Sequence, residues 1–126
     1  MPVSYEINKE RRLVLLTVWE ACTTNDVQQF RKQVLSDRDF DPTFSQLADL
    51  TRITKVEITP DEIRMIATMS PFSPQSRRAI VAQDHLVFGV SKMFGILRGL
   101  RGEKLLRVFR DRSEALEWLL EEQEAA

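Results

Sequence analysis

Few side chains in this sequence could carry nucleophilic or acid–base chemistry. The single histidine, His85, directly follows Asp84. Adjacent residues do not face each other on a helix, so this pair is interpreted as a helix cap followed by a surface imidazole rather than a base with its orienting carboxylate. Cys22, the single cysteine, follows an apolar segment and is interpreted as a small buried hydrophobic residue rather than a reactive thiol. We therefore predict no catalytic residue and no enzymatic activity.

Motifs that hold metals or cofactors are also missing from the sequence. Cysteine and histidine do not cluster at metal-ligand spacings, and no pair of carboxylates is placed for acid–base work. The four glycines, at positions 89, 95, 99 and 102, lie in or at the end of one predicted helix and not in a phosphate-binding loop. Gly95 and Gly99 are spaced for close packing on a sheet or a second subunit. We expect no metal and no cofactor.

Bulk composition is that of one ordinary globular domain, which we expect to span residues 1–126. Of these residues 43% are hydrophobic and 29% are charged, with a formal net charge of −1. Residues 77–112 carry nine basic and three acidic side chains, and the segment from Ser113 onward carries five Glu, which can neutralise that stretch. The basic residues from 98 to 112 fall partly on a strand expected to be buried between neighbours, so we predict no nucleic-acid binding.

The first residues and the cysteine content of the sequence indicate the cellular compartment. Charged residues occur within the first dozen positions, and the apolar stretch that follows is short, so we expect neither a secretory signal nor membrane insertion. One cysteine cannot form an internal disulfide, which suits a reducing compartment. We expect a cytoplasmic protein.

Hydrophobic patterning predicts five strands and four helices in the order ββαβαβαβα. The run Leu13 to Trp19 lacks alternation, as a strand covered on both faces does, so the sheet should be a middle layer. Alternating strands and helices favour a mostly parallel α/β sheet with one antiparallel strand from the opening hairpin. The predicted strands are Tyr5 to Asn8, Leu13 to Glu20, Phe44 to Leu50, Arg77 to Ala82 and Leu105 to Phe109, with Thr51 to Ile58 as a connector.

Helix starts are marked by capping residues. Thr23 and Thr24 precede a helix that fades near Ser36, and Asp84 precedes a long helix that runs from His85 to about Arg101. Thr59-Pro60-Asp61-Glu62 combines an N-cap threonine, a proline at the first helical position and a glutamate able to close a capping box. Gly102 ends the long helix, and Asp111 with Glu114 opens the last one.

The long predicted helix has more apolar residues than packing against one layer requires, since they cover about half of its circumference. Methionine and phenylalanine adapt their shape to partners, and core packing is the competing explanation for each of them. We predict a homodimer, or a pocket for an apolar ligand, over this helix. The candidate partner or ligand surface consists of Glu57, Met65, Met69, Phe72, Phe88, Met93 and Phe94.

The order of elements, together with a strand ending in Ala48-Asp49-Leu50 and the capped helix at Thr59, resembles the STAS domain, the SpoIIAA-like fold of bacterial anti-sigma-factor antagonists. The resemblance covers nearly the whole chain and is closest to stand-alone bacterial SpoIIAA-like proteins of undefined function. It is carried by Tyr5-Glu6-Ile7, Asp39-Phe40-Asp41-Pro42, Gln46-Leu47-Ala48-Asp49-Leu50, Arg77-Arg78-Ala79-Ile80-Val81-Ala82 and Phe109-Arg110-Asp111.

The resemblance implies a candidate phosphoacceptor. Signalling members of the family carry a phosphorylated serine, within Asp-Ser-Ser-Gly, at the start of their second helix. The matching stretch here is Glu57-Ile58-Thr59-Pro60, which places Thr59 at the phosphoacceptor position with Glu57 and Pro60 replacing the aspartate and glycine. A phosphate would gain from the helix N-terminus, whereas Asp61 and Glu62 would repel it, and a plain helix cap also explains Thr59.

Two functions follow from these observations. The first is a non-catalytic, STAS-like protein-interaction module that associates with itself or with a regulatory protein. The alternative is a carrier or sensor of a small apolar or anionic ligand. A small enzyme that uses His85 would require a cleft that holds this histidine beside a second polar group.

Overall fold

A computed structural model describes residues 3–103 and 105–125. Its single sheet has the spatial order β1-β2-β3-β4-β5. β1 is antiparallel to β2, and the other neighbouring pairs are parallel. The five strands are β1 Val3–Asn8, β2 Leu13–Cys22, β3 Ser45–Val56, β4 Arg78–Val81 and β5 Leu106–Phe109. The predicted mixed, mostly parallel sheet is confirmed.

Four helices cover the two faces of this sheet, and the predicted order ββαβαβαβα is confirmed. They are α1 Thr24–Leu35, α2 Pro60–Ile66, α3 His85–Gly99 and α4 Arg112–Ala125. The strands advance one position at a time across the sheet, so right-handed crossovers place α1, α2 and α3 on one face. α4 packs on the opposite face, which makes the sheet the expected middle layer.

Alternate residues of β2 show how the two layers of the core are built. Leu13 is buried against Leu119 of α4, whereas its neighbour Val14 is buried with Phe30 and Val34 of α1. Successive side chains of a strand point to opposite faces of a sheet, so a strand covered on both faces needs apolar residues at both. The continuous apolar run of β2 is explained by this position.

The segment predicted as a connector, Thr51 to Ile58, is largely strand, and that prediction was wrong. β3 continues to Val56 because β2 continues to Cys22, and these two residues are paired at the end of the ladder. Within the extension Ile53 is buried while Thr54 and Lys55 are exposed. A signal was present in the β-branched residues of this segment, which favour strands.

β5 is an edge strand, so the expectation that neighbours bury it on both sides was also wrong. It pairs with β4 alone among the described strands. Arg107 on this edge is exposed, and its guanidinium lies 5.1 Å from the ring centroid of Phe109 and 5.3 Å from that of Trp118. A charged side chain on an edge strand discourages pairing with another chain.

The predicted helix caps are confirmed at three helices. Thr23 and Thr59 each close a capping box, with Asp26 and Glu62 respectively, and Asp84 accepts hydrogen bonds from the backbone N–H groups of Leu86 and Val87. Gly102, just after α3, has a φ of 96°, a conformation that suits glycine.

A buried ionic cluster joins α2, β4, α3 and the turn after α3. Glu103, 2% exposed, accepts a hydrogen bond from Arg78 Nη1 at 2.9 Å and one from Arg98 Nε at 2.7 Å. Arg78 Nε also donates to Gln46 Oε1 at 3.0 Å, and Arg98 Nη1 donates to the carbonyl oxygen of Ala67 at the C-cap of α2. Two arginines against one glutamate leave this cluster with one net positive charge.

Removing the single negative charge of the cluster should destabilise the fold strongly. We expect Glu103→Gln to lower the free energy of unfolding by roughly 3–5 kcal/mol, because two buried guanidinium groups lose their counter-ion. Urea denaturation followed by circular dichroism measures the change.

Glu57→Gln is the matched control, since Glu57 forms an exposed ion pair with Lys55 (3.0 Å) and should cost less than about 1 kcal/mol. Equal effects of the two substitutions would show that the buried cluster does not stabilise the fold.

Candidate functional site

A cavity of about 170 Å³ lies between the sheet and helices α1 to α3. Its floor includes Leu16, Ala48 and Ile80 of the three central strands. Apolar residues of all three helices, such as Ile63 of α2 and Val87 of α3, form its walls. α2 has only seven residues and cannot cover the sheet as α1 and α3 do, which leaves this space. The site therefore suits an apolar group.

A few polar side chains interrupt the apolar wall. Gln46 and Arg78 belong to the buried ionic cluster, and Asp26 Oδ2 accepts hydrogen bonds from the backbone N–H and the hydroxyl of Thr23. Ser91 is buried, and its hydroxyl makes no hydrogen bond with the described residues. Arg31 Nε is shielded from solvent and has no hydrogen-bond partner in the described part of the chain. Ser91 and Arg31 thus have unused hydrogen-bonding capacity at the cavity.

Electrostatics at the cavity disfavour a reactive thiol. Burial raises the pKa of Cys22, which lines the cavity, to about 11, and the nearby negative charge of Asp26 adds to the effect. A thiol with such a pKa is protonated at neutral pH and is a poor nucleophile. Burial also lowers the pKa of Arg78, while the negative charge of Glu103 opposes that change.

The seven residues predicted to form one partner or ligand surface do not lie together. Met69 and Phe94 line the cavity, whereas Met65 and Met93 are exposed. Phe72 is not a surface residue, and that placement was wrong. It is 6% exposed because it packs with Phe30 and Phe44 in the core beneath α1.

The other two members of the predicted surface are outside the cavity lining. Phe88 is half-buried, and the guanidinium of Arg110 lies 4.0 Å from its ring centroid. Glu57 is exposed and pairs with Lys55. The predicted surface therefore divides into a cavity lining, a core residue and several separate exposed side chains.

Sequence reasoning missed Arg31 as a site residue. Arg31 follows Val27 by four positions on α1, and both line the cavity, so helical spacing does indicate that they share a face. Gln46 and Arg78 were missed as well. They gave no such signal, because polar residues within a strand are normally interpreted as solvent-facing.

A second candidate site is the outer face of α3. Four of the six large hydrophobic side chains that are exposed among the described residues lie on this helix or at its C-cap. Spacings of 7, 3 and 4 residues separate them, and Gly89 fills the remaining position of a regular three–four repeat. We call this set the α3 seam: Leu86, Gly89, Met93, Ile96 and Leu100.

Thr59, the candidate phosphoacceptor, is exposed and serves as the N-cap of α2. Its hydroxyl oxygen accepts a hydrogen bond from the backbone N–H of Glu62 at 3.2 Å, and Glu62 Oε1 accepts one from the backbone N–H of Thr59 at 3.1 Å. Hydrogen bonds, first from the hydroxyl of Thr24 and then from Thr59, hold the pKa of Glu62 below its usual range. The carboxylate therefore stays charged where a phosphate would be added.

His85 is exposed at the start of α3, and Asp84 is engaged as the helix cap. Within the described ranges no group of three or more His, Cys, Asp or Glu side chains is arranged to hold a metal ion. The same residues include no helix of the length and apolarity required to cross a membrane.

Comparison with known proteins identifies the fold. No protein-family model and no curated protein matches the sequence. One of the solved structures similar to this chain is that of an uncharacterised protein of the DUF3478 family with a SpoIIAA-like fold from Shewanella loihica PV-4. The two chains share 17% sequence identity over 93% of each chain, with a TM-score of 0.61. This protein has the SpoIIAA-like fold that its sequence predicted.

The capping role of Thr59 can be tested by substitution. We expect Thr59→Ala to reduce the free energy of unfolding by about 0.5–2 kcal/mol, because the backbone N–H of Glu62 loses its acceptor. Thr59→Asn should stay close to the original protein, since asparagine also caps helices. Urea denaturation compares the three proteins, and a loss of the same size in both variants would contradict the capping role.

The protonation of Cys22 can be tested by its reactivity. With a pKa of about 11, roughly one thiol in a thousand is ionised at pH 8, so the rate of iodoacetamide alkylation should rise about tenfold per pH unit up to pH 10. Protein unfolded in urea provides the control, because its thiol recovers an ordinary pKa near 8.5. A plateau of the folded protein's rate below pH 9 would contradict the raised pKa.

Proposed function

We propose that this protein is a non-catalytic interaction module that associates with a second copy of itself through the α3 seam. The observation that carries the proposal is the exposure of this seam: Leu86 is 63%, Ile96 67% and Leu100 80% exposed. Large apolar side chains grouped on one helix face are typical of binding surfaces rather than of a free monomer surface.

α3 has a buried inner face and an exposed apolar outer face, and the outer face is not needed for packing on the sheet. Val87, Ser91 and Arg98 are buried on the inner face against the sheet and the ionic cluster. A helix that packs on one layer needs a single apolar stripe and places polar residues outside. The outer stripe of α3 is therefore surplus to the fold of one chain.

A second copy of the chain is the partner that fits this surface. Cyclic dimers are the commonest oligomers, and their interfaces join the same patch of both subunits. An antiparallel pair of α3 helices would place Leu86 of one copy near Leu100 of the other and bring opposite ends of the helix dipoles together. Gly89 has no side chain and no heavy atom within 4 Å of an added Cβ, so a partner helix can approach closely there.

The non-catalytic assignment rests on the chemistry of the candidate groups. Asp84 is occupied as a helix cap, His85 is on the surface outside the cavity lining, and Cys22 is a protonated thiol at neutral pH. A cytoplasmic location is part of the proposal, supported by a single cysteine that cannot form an internal disulfide. A regulatory protein that binds the same surface would compete with the dimer.

A charge placed in the seam tests the proposal. Sedimentation equilibrium should give twice the mass of one chain for the original protein. We expect Ile96→Glu to weaken self-association at least about tenfold, because the interface would have to bury one carboxylate from each copy.

Leu35→Glu is the matched control, since Leu35 is 47% exposed at the end of α1, outside the seam, and this variant should remain dimeric. A monomeric original protein at high micromolar concentration would reject the proposal, as would a dimer that Ile96→Glu leaves intact.

A further inference from the structure

We propose that the cavity beneath α1, α2 and α3 binds a small single-chain carboxylic acid, with its apolar chain inside and its carboxylate on the guanidinium of Arg31. This inference is independent of the proposed self-association, because it concerns the opposite side of α3. The cavity lining and Arg31 supply three separate arguments: the character of the walls, the available volume and the unused hydrogen-bonding capacity.

The walls favour an apolar occupant over water. Leu16, Val18 and Ile53 of the sheet face Val27 of α1 and Ile63 of α2 across the cavity. A buried water needs two to four polar partners, which a wall of this kind does not supply around most of the space. An empty cavity leaves the lining atoms without dispersion contacts on one side. Hydrocarbon restores these contacts.

The volume limits the size of the occupant. A cavity of 150 Å³ lined by apolar side chains accommodates benzene, so the 170 Å³ found here suits an apolar group of about six to eight carbon atoms. A two-chain lipid does not fit this space. A single short or medium chain does, and it can follow the elongated lining from Gln46 to Val56 along β3.

Arg31 identifies the head group. Its side chain is half-buried at the cavity, its Nε is excluded from solvent, and none of the described residues accepts a hydrogen bond from it or pairs with its charge. Asp26 lines the same cavity but already accepts two hydrogen bonds from Thr23. A buried guanidinium N–H without an acceptor is unfavourable, and a carboxylate can satisfy it through two parallel bonds.

A single negative charge matches the site better than a phosphate. Arg31 is one guanidinium, and Arg78, which also lines the cavity, directs its Nε and Nη1 to Gln46, Ser70 and Glu103. The net positive charge of the ionic cluster and the charge of Arg31 together outweigh the negative charge of Asp26, which also lines the cavity. A carboxylate needs no further donors, whereas a phosphate dianion would lack partners for most of its oxygens.

Octanoate and 1-octanol are matched probes, because they share the chain length and differ in charge. Isothermal titration calorimetry should detect one octanoate per chain, bound at least about tenfold more tightly than 1-octanol. In a spectrum of protein labelled with ¹³C at its methionine methyl groups, octanoate should shift the signal of Met69, which lines the cavity. The signals of exposed Met65 and Met93 should not move.

Arg31→Gln tests the head-group contact. We expect it to weaken octanoate binding about tenfold while it leaves 1-octanol binding unchanged, because only the charged contact is lost. Lys32→Gln removes the same charge from the neighbouring, exposed position of α1 and should leave both affinities unchanged. The variant Ile96→Glu should retain octanoate binding even if it becomes monomeric, which separates this inference from the proposed self-association.

Several results would overturn the inference. They are the absence of octanoate binding at millimolar concentration, equal affinities for octanoate and 1-octanol, an unshifted Met69 signal, and an Arg31→Gln protein that binds octanoate as the original does. Ala48→Leu, which adds a larger side chain to the cavity floor, should abolish binding of both probes. If that variant does not fold, the comparison of Arg31→Gln with Lys32→Gln decides the matter alone.

Discussion

The pairing of one buried glutamate with two arginines is the interaction on which the candidate sites depend. Glu103 follows Gly102, whose φ is positive. Its buried carboxylate accepts hydrogen bonds from Arg78 and Arg98. Arg98 also donates a hydrogen bond to the carbonyl oxygen of Ala67, the C-cap of α2. One carboxylate therefore fixes the end of α3, the end of α2 and the start of β4 relative to one another. Both the cavity and the orientation of the α3 seam follow from this arrangement.

The shortness of α2 explains why a cavity forms at this place. Pro60 and the capping box start the helix at Thr59, and Pro71 and Pro74 prevent it from continuing along the sheet. Seven residues give about two turns, whereas α1 and α3 have twelve and fifteen. The sheet beneath α2 is thus covered incompletely, and the gap is lined by apolar residues because their strand is buried on both faces.

Local sequence signals predicted the helices and most strands. The features that the sequence did not predict depend on pairing between residues far apart in the chain. Each helix cap forms hydrogen bonds with backbone N–H groups no more than three residues away, so the sequence alone predicts where these helices begin. The caps are Thr23, Thr59 and Asp84. The end of β3 depends instead on its partner strand, because Val56 pairs with Cys22 of β2. For this reason the segment Thr51 to Ile58 was wrongly predicted to be a connector. In the ionic cluster Arg78 binds Glu103, which is 25 positions away in the chain, and Gln46, which is 32 positions away. No periodic pattern in the sequence predicts such pairs. Arginine and glutamate are usually exposed, so nothing local in the sequence indicated a buried ionic cluster.

The two proposed sites share α3, and the anchoring of this helix bears on whether they communicate. Coupling between sites requires an element with two arrangements whose balance each ligand shifts. α3 is capped by Asp84 at its first turn and held by Arg98 near its last, and neither of these two residues lines the cavity or belongs to the seam. An occupant of the cavity would then stabilise each folded chain by mass action without moving the seam. On this argument cavity occupancy and self-association are independent properties of one scaffold, and each persists when the other is removed.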